Sequence, residues 1–385
     1  MDYNFDTLHD RRNTNSYKWD SSDNNDVIPL WVADMDFKTA PSIIEALEKR
    51  VKQGIFGYTK VPDDYYDAVI KWFERKHGWQ FCREDIIYTS GVVPAISAIL
   101  QALTLPGDEV ILQTPVYNCF FSSIRNSGCV PSENSLIYKE GTYSIDFDDL
   151  EKRAASDKAR VLLLCNPHNP TGRVWTKEEL LKISDICSRN NVIVVSDEIH
   201  CELVYLPYKY IPFGSLSHNN DLKFISCVSP SKAFNIAGLQ IANIVCKHAE
   251  MRERIDRCIN INEVCDVNPF GVLATIAAYN DGEEWLEALK KYLWDNYQFL
   301  CDFFKKHFPY YPVTKLEGTY LVWVDCRKMG LPSHDLEEKL MEKAKVWLNA
   351  GSMYGRDGEG FMRINIACPR SRLEIGLQRL LEILK

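Results

Sequence analysis

A lone lysine, Lys232, follows an apolar run in the stretch "FISCVSPSKAFNIAGLQ" (224–240), with the hydroxyls of Ser229 and Ser231 beside it. No carboxylate occurs in the following residues of that stretch to neutralise its ammonium group. A lysine held at the mouth of a buried strand, partly desolvated and near other positive charge, has a lowered pKa and attacks carbonyl carbons. Schiff-base chemistry requires such an amine; the alternative is a solvated loop lysine. Asp197 ends the apolar run of "VIVVSDEIHCEL" (192–203). It either caps a following helix or, if buried, needs a cationic partner such as a protonated ring nitrogen. His200, three residues on, then lies near the same ring, or is simply a hydrogen-bonded loop histidine.

Three further stretches offer ligand groups. "CNPHNPTG" (165–172) has two Asn-Pro pairs in five residues, a rigid turn directly after an apolar run. Such a turn admits a cis bond, and its Asn169 is able to donate to a phenolate oxygen. In "YTSGVVPAISAIL" (88–100), Ser90, Gly91, Val92 and Val93 open a helix whose free N–H groups suit a phosphate. "TPVYNCFF" (114–121) supplies Tyr117, which either stacks on a planar ring or packs in the core. Arg363 stands inside the apolar strand pattern "FMRINIAC" (361–368). Its guanidinium is either paired within the fold or reserved for a substrate carboxylate. Each feature is modest alone. Together they describe pyridoxal 5'-phosphate and an α-amino-acid substrate.

Elements must position these residues. Short apolar runs recur at 85–89, 109–114, 160–165, 192–197, 223–228 and 241–246, with amphipathic stretches between several of them. One such stretch, 176–190, has Thr176 as N-cap and Glu179 three residues on. Strands apolar on both faces and joined by helices predict an α/β fold with a mostly parallel, covered sheet. After about residue 281 a long helical pattern (282–308) begins, followed by strand patterns at 319–326 and 360–368 and a closing helix. This predicts a second, smaller α+β domain, with a hinge near the start of the long helix and the first 40 or so residues packed against the smaller unit. The boundaries so drawn are 46–284 for the large domain, and 1–45 with 285–385 for the small one.

Composition narrows the function. The chain has 385 residues and a net charge of -8, so nucleic-acid binding has no electrostatic support. Its 13 cysteines are scattered singly, with no metal-type spacing, as expected for reduced thiols in a cytoplasm. The polar N-terminal stretch lacks the apolar segment of a secretory signal, and no apolar run is long enough to span a bilayer. A cytoplasmic enzyme with no membrane or metal partner is expected.

The order and spacing of "NPHNPTG", "SDEIH" and "SPSKAFNIAG" resemble the pyridoxal-phosphate-dependent aspartate aminotransferase superfamily, fold type I, over nearly the whole length. "WVADMDF" (31–37), "FGYT" (56–59), "KAFNIAGLQ" and "RINIACPR" are similar to the MalY/PatB group of cystathionine β-lyases and related C–S lyases. The resemblance implies a seven-stranded, mostly parallel sheet and a homodimer. It implies that Lys232 carries the cofactor as a Schiff base, that Asp197 pairs with the pyridine nitrogen, and that Asn169 contacts the ring oxygen. Tyr117 would stack on the ring, with His200 nearby, while Gly91, Val92 and Ser229 hold the phosphate. Tyr58 would reach that phosphate from the neighbouring subunit, and Arg363 would bind the substrate α-carboxylate. Where many aminotransferases carry a phosphate-binding arginine eight residues after the lysine, this chain has Gln240.

The implied reaction is α,β-elimination of cystathionine or cysteine-like substrates to a thiol, pyruvate and ammonia. An aminotransferase, which shares the cofactor motifs, is the alternative. A regulatory cofactor-binding protein is a third reading, disfavoured because some 30 residues before "WVADMDF" do not make a DNA-binding domain.

Overall fold

The computed structural model describes residues 3–216, 222–261 and 267–384. Its centre is a seven-stranded sheet. In chain order the strands are β1 (Ile86–Thr89), β2 (Glu109–Thr114), β3 (Val130–Ser135), β4 (Ala159–Cys165), β5 (Ile193–Asp197), β6 (Phe224–Val228) and β7 (Ala242–Val245). They lie side by side as β1-β7-β6-β5-β4-β2-β3, and only β7 runs antiparallel to its neighbours. Every residue of β6 and β7 is buried, which explains their apolar or small composition; the exception is Asn243, whose side-chain oxygen accepts from the Tyr65 hydroxyl.

Six of these strands coincide with the apolar runs. The seventh, β3, does not. It is an edge strand of sequence VPSENS, buried on one side only, and its polar residues carry no apolar signal. Helices pack against the sheet where periodicity places them. Thr176 caps helix Lys177–Arg189 through a capping box: its hydroxyl accepts from the Glu179 N–H, and its own N–H donates to the Glu179 carboxylate.

Beyond helix Glu283–His307, a three-stranded antiparallel sheet forms from β8 (Leu321–Asp325), β9 (Asn349–Ala350) and β10 (Phe361–Asn365), ordered β8-β10-β9. Helix Arg370–Leu384 closes it. The N-terminal segment joins this unit, since Ile28–Pro29 pairs in parallel with Val346–Trp347. One apolar cluster runs from Leu30 and Phe37 through Leu300 to Leu373 and ties these parts together. The described cysteines are all free thiols, and among the described residues no helix is long and apolar enough to cross a membrane.

Candidate active site

Five of the parallel strands end at one edge of the sheet, where ligands bind in open α/β folds. The turns leaving β1, β2, β4, β5 and β6 converge there on a cavity of about 500 Å³, which Arg363 of β10 also lines. Of the residues singled out from the sequence, Gly91, Val92, Tyr117 and Asn169 border it. So do Asp197, His200, Lys232 and Arg363. Ser229 and Tyr58 do not.

Lys232 reaches the cavity because β6 ends at Val228 and the chain then turns through Ser229-Pro230-Ser231. The Ser229 hydroxyl pins this turn, donating to the Ile241 carbonyl (2.6 Å) and accepting from the Ser231 N–H (3.1 Å). The hydroxyl left facing the cavity is that of Ser231. The Lys232 Nζ donates to the Ala33 carbonyl (2.8 Å), which also accepts from the Tyr320 hydroxyl (2.9 Å). Burial lowers the lysine's pKa, and the nearby Arg363 charge lowers it further.

Asp197 is the last residue of β5 and is 5% exposed. Its carboxyl accepts one hydrogen bond, from the Ile199 N–H (3.1 Å). Burial pushes its pKa up to about 7, the charge of Glu198 adds to this, and the pull from Lys232 is the smallest influence. It therefore lacks the cation that a buried carboxylate needs. Glu198 turns the opposite way, accepting from the Phe213 N–H (2.8 Å) and the Ser196 hydroxyl (2.9 Å). His200 is held neutral by burial and by the charges of Lys232 and Arg363, and its Nδ1 is buried without a partner.

The turn after β4 holds Asn169. His168 locks that turn: its ring bonds the Gln113 carbonyl (3.1 Å) and the Thr171 hydroxyl (2.9 Å), and burial drops its pKa to about 3. A neutral ring here donates from Nε2 and accepts at Nδ1. Gly172 closes the turn at φ +75°, with the Leu316 side chain 2.9 Å from where a Cβ would stand. Asn169 accepts from Arg363 at Oδ1 (3.2 Å), so its amide nitrogen is free to donate elsewhere. Arg363 is 3% exposed. It also donates to the Trp31 carbonyl (2.6 Å), and its Nε is buried without a partner. No carboxylate among the described residues pairs with it. Tyr117 stands at the N-cap of helix Asn118–Asn126, and burial raises its phenol pKa.

A family model for aminotransferase class I and II matches residues 25–380. The chain belongs to that family. Cystathionine beta-lyase PatB of Bacillus subtilis is 40% identical over 381 residues, 98% of each chain. The structure of cystalysin from Treponema denticola, which contains pyridoxal 5'-phosphate, has a TM-score of 0.96 at 38% identity and covers 99% of this chain and 98% of its own. A PLP-bound C-S lyase from Staphylococcus hominis, complexed with L-cycloserine, has a TM-score of 0.94 at 34% identity and covers 100% and 99%.

In this member of the family the sequence reading missed several groups at the cavity. The Ala33 carbonyl accepts from Lys232 and also from the Tyr320 hydroxyl, while Cys119, Met353 and Tyr354 form part of the wall. The segment 31–37, noted above only for its family likeness, threads the site. Its carbonyls accept from Arg363, Lys232, Asn365 and Asn235. A carbonyl is common to every residue, so no residue type could have flagged it.

Proposed function

We propose that this chain is a pyridoxal 5'-phosphate-dependent carbon–sulfur β-lyase of the cystathionine β-lyase type, releasing a thiol, pyruvate and ammonia. The observation that carries the cofactor is Asp197, a buried carboxyl on the cavity with no ion-pair partner. A protonated pyridine nitrogen supplies the missing cation. The unpartnered His200 Nδ1 and Arg363 Nε fit the same conclusion: the cavity's polar groups await a ligand.

Bound there, the cofactor serves as an electron sink that makes the substrate Cα proton removable. The chain's own residues do the rest. Lys232 would hold the cofactor through Nζ and, when freed by the substrate amine, would take the Cα proton as general base. Its lowered pKa keeps more of that amine neutral and able to accept. Asp197 keeps the ring nitrogen protonated. Asn169, oriented by Arg363, would present its amide nitrogen to the ring oxygen. Arg363 receives the α-carboxylate, and Tyr117 covers the ring face. Gly91 caps helix Val92–Leu103, whose first backbone N–H groups lack helical acceptors and would hold the phosphate. Ser229 acts by fixing the loop that presents Ser231. Breaking the Cα–H and Cβ–S bonds would form a Cα=Cβ bond and release the thiolate, which takes up a proton; water would then hydrolyse the released enamine to pyruvate and ammonia.

The domain division at 46–284 against 1–45 and 285–385 is part of this proposal, supported by the separation of the seven-stranded from the three-stranded sheet. The working unit is a homodimer in which Tyr58 reaches the neighbouring subunit's phosphate. Its support is the exposure of Tyr58 (95%), Ile55 (69%) and Phe56 (58%) on one short segment. The free thiols suit a cytoplasmic setting.

The family model also covers aminotransferases, which use the same residues but need a keto acid as second substrate. Incubation with L-cystathionine alone should yield pyruvate. Turnover that strictly requires an added keto acid would favour the aminotransferase instead.

A further inference from the structure

We propose that a second cleft, between residues 201–210 and the long helix Glu283–His307, is a non-catalytic binding site for an aromatic or apolar α-amino acid held as its zwitterion. The cleft holds about 580 Å³ and shares no lining residue with the catalytic cavity. The last turn of helix Asp63–His77 borders it as well. The most buried of its charged groups is Glu202, 4% exposed. Three donors converge on one of its oxygens. The Trp72 indole (2.7 Å), the His77 ring (2.8 Å) and, more weakly, the Cys201 thiol (3.6 Å) all reach Oε1. Oε2 receives no hydrogen bond from any described residue. Burial alone would raise the pKa of this carboxyl, but His77, Trp72 and Lys76 hold it below the ordinary value, so it is an anion near neutral pH. A buried anion with one oxygen open to a cleft suits an ammonium group.

The rim carries the opposite charge. Two of its lysines are occupied: Lys76 by Glu283 (2.9 Å) and Glu287 (3.1 Å), and Lys290 by Glu287 (3.2 Å). Lys209 and Lys291 also border the cleft, are exposed, and pair with no carboxylate among the described residues. They suit the carboxylate of the same ligand. Between base and rim the wall is aromatic. The half-buried Trp294 lies 5.3 Å from the Tyr205 ring, and the half-buried Tyr208 borders the same space. Such rings offer broad contact to an apolar side chain. A plain anion would meet the charges of Glu202 and Glu287, and a plain amine would leave the two free lysines unused. An apolar wall with a few convergent polar groups is the usual form of a small-molecule site.

Calorimetry on the borohydride-reduced holoenzyme tests this, because reduction fixes the cofactor on Lys232 and closes the catalytic site to amines. The titrants are L-phenylalanine, 3-phenylpropanoate, which lacks the ammonium group, and 2-phenylethylamine, which lacks the carboxylate. L-Phenylalanine should bind at one site per chain, at least about tenfold more tightly than either analogue. Lys209→Ala combined with Lys291→Ala should weaken L-phenylalanine about tenfold and leave 2-phenylethylamine unchanged. Both lysines are exposed and hold nothing else, so this variant should fold as the parent does. Glu202→Gln should weaken L-phenylalanine and 2-phenylethylamine alike and spare 3-phenylpropanoate. No saturable heat up to about 10 mM L-phenylalanine would overturn the proposal. So would 3-phenylpropanoate binding as tightly as the amino acid, or binding that ignores the lysine variant. No turnover enters the measurement, so its failure leaves the lyase reading untouched.

Discussion

Two clusters of buried charge share the segment 31–37, and they are built on opposite terms. In the first, Asp36 is 1% exposed. It accepts from Arg11 (2.9 Å), the Trp19 indole (2.9 Å) and Arg372 (3.0 Å), with the fully buried Lys18 at 3.3 Å. Burial alone would raise its pKa, but Lys18, Arg372, Trp19 and Arg11 hold it below the usual carboxylate range. In the second, Asp197 is about as buried, yet its pKa rises to about 7 because it lacks a cation in contact. Desolvating a charge costs several kcal/mol whether or not it is repaid. Where the fold repays it internally, the charge is structural. Where the fold leaves it unpaid beside a cavity, a ligand is expected to complete it. Asp36 holds the segment; Asp197, Lys232 and Arg363 await what the segment helps to enclose.

The largest effect should come from the lysine on the cavity side. Lys232→Ala should lower steady-state turnover roughly 10^4-fold, about 5.4 kcal/mol, because tether and base disappear together. Pyruvate release measures the loss, and far-ultraviolet dichroism should show an intact fold. The lysine's one hydrogen bond goes to the Ala33 carbonyl, which Tyr320 also satisfies. Near-normal turnover would erase the distinction between the two clusters.

Much of this contrast was legible before any coordinates. Arg363 and Asp197 stood out because a charge in an apolar strand pattern breaks the local rule, and such breaks concentrate where function sits. The parallel sheet was legible because buried strands are written almost wholly in apolar residues. Strand β3 was not, since an edge strand half in water is as polar as a loop. The Asp36 cluster was illegible for another reason: Arg11 and Arg372 lie 25 and 336 residues away in sequence, and no short-range pattern links them. Tyr354 and Cys119 were also missed, because an aromatic or a thiol facing a cavity is spelled like one in the core.

The structural cluster should answer in stability rather than chemistry. Asp36→Asn leaves Arg372 without an anion, and Lys18 and Arg11 with Asp34 alone. The expected cost is about 3–5 kcal/mol, read as a fall in the urea midpoint at pH 7. Its pH dependence has a definite sign. The folded pKa lies below the unfolded one, so the stabilisation is present above about pH 4 and lost as pH falls through the folded value. The urea midpoint of the parent chain should therefore drop in acid more than that of the variant. A variant as stable as the parent would place Asp36 with the uncompensated group.

Asp197 gives the opposite sign and the sharpest contrast. Its folded pKa of about 7 lies above the ordinary 3.8. Between those values the cofactor-free native chain holds a proton that the unfolded chain has released, so its stability falls as pH rises from about 4 to 7. Asn fills the same space and never ionises. At pH 8 the cofactor-free Asp197→Asn chain should therefore be more stable than the cofactor-free parent, by on the order of 2–4 kcal/mol. The gain should vanish near pH 4, where the parent carboxyl is neutral too. With the cofactor present the same variant should lose at least about 100-fold in turnover, because the ring nitrogen no longer has an anion to hold its proton. A substitution that strengthens the empty chain while disabling the loaded one marks a group kept at a cost to stability for its ligand. If the two cofactor-free chains unfold alike at pH 8, Asp197 is compensated after all, and the two clusters do not differ in kind.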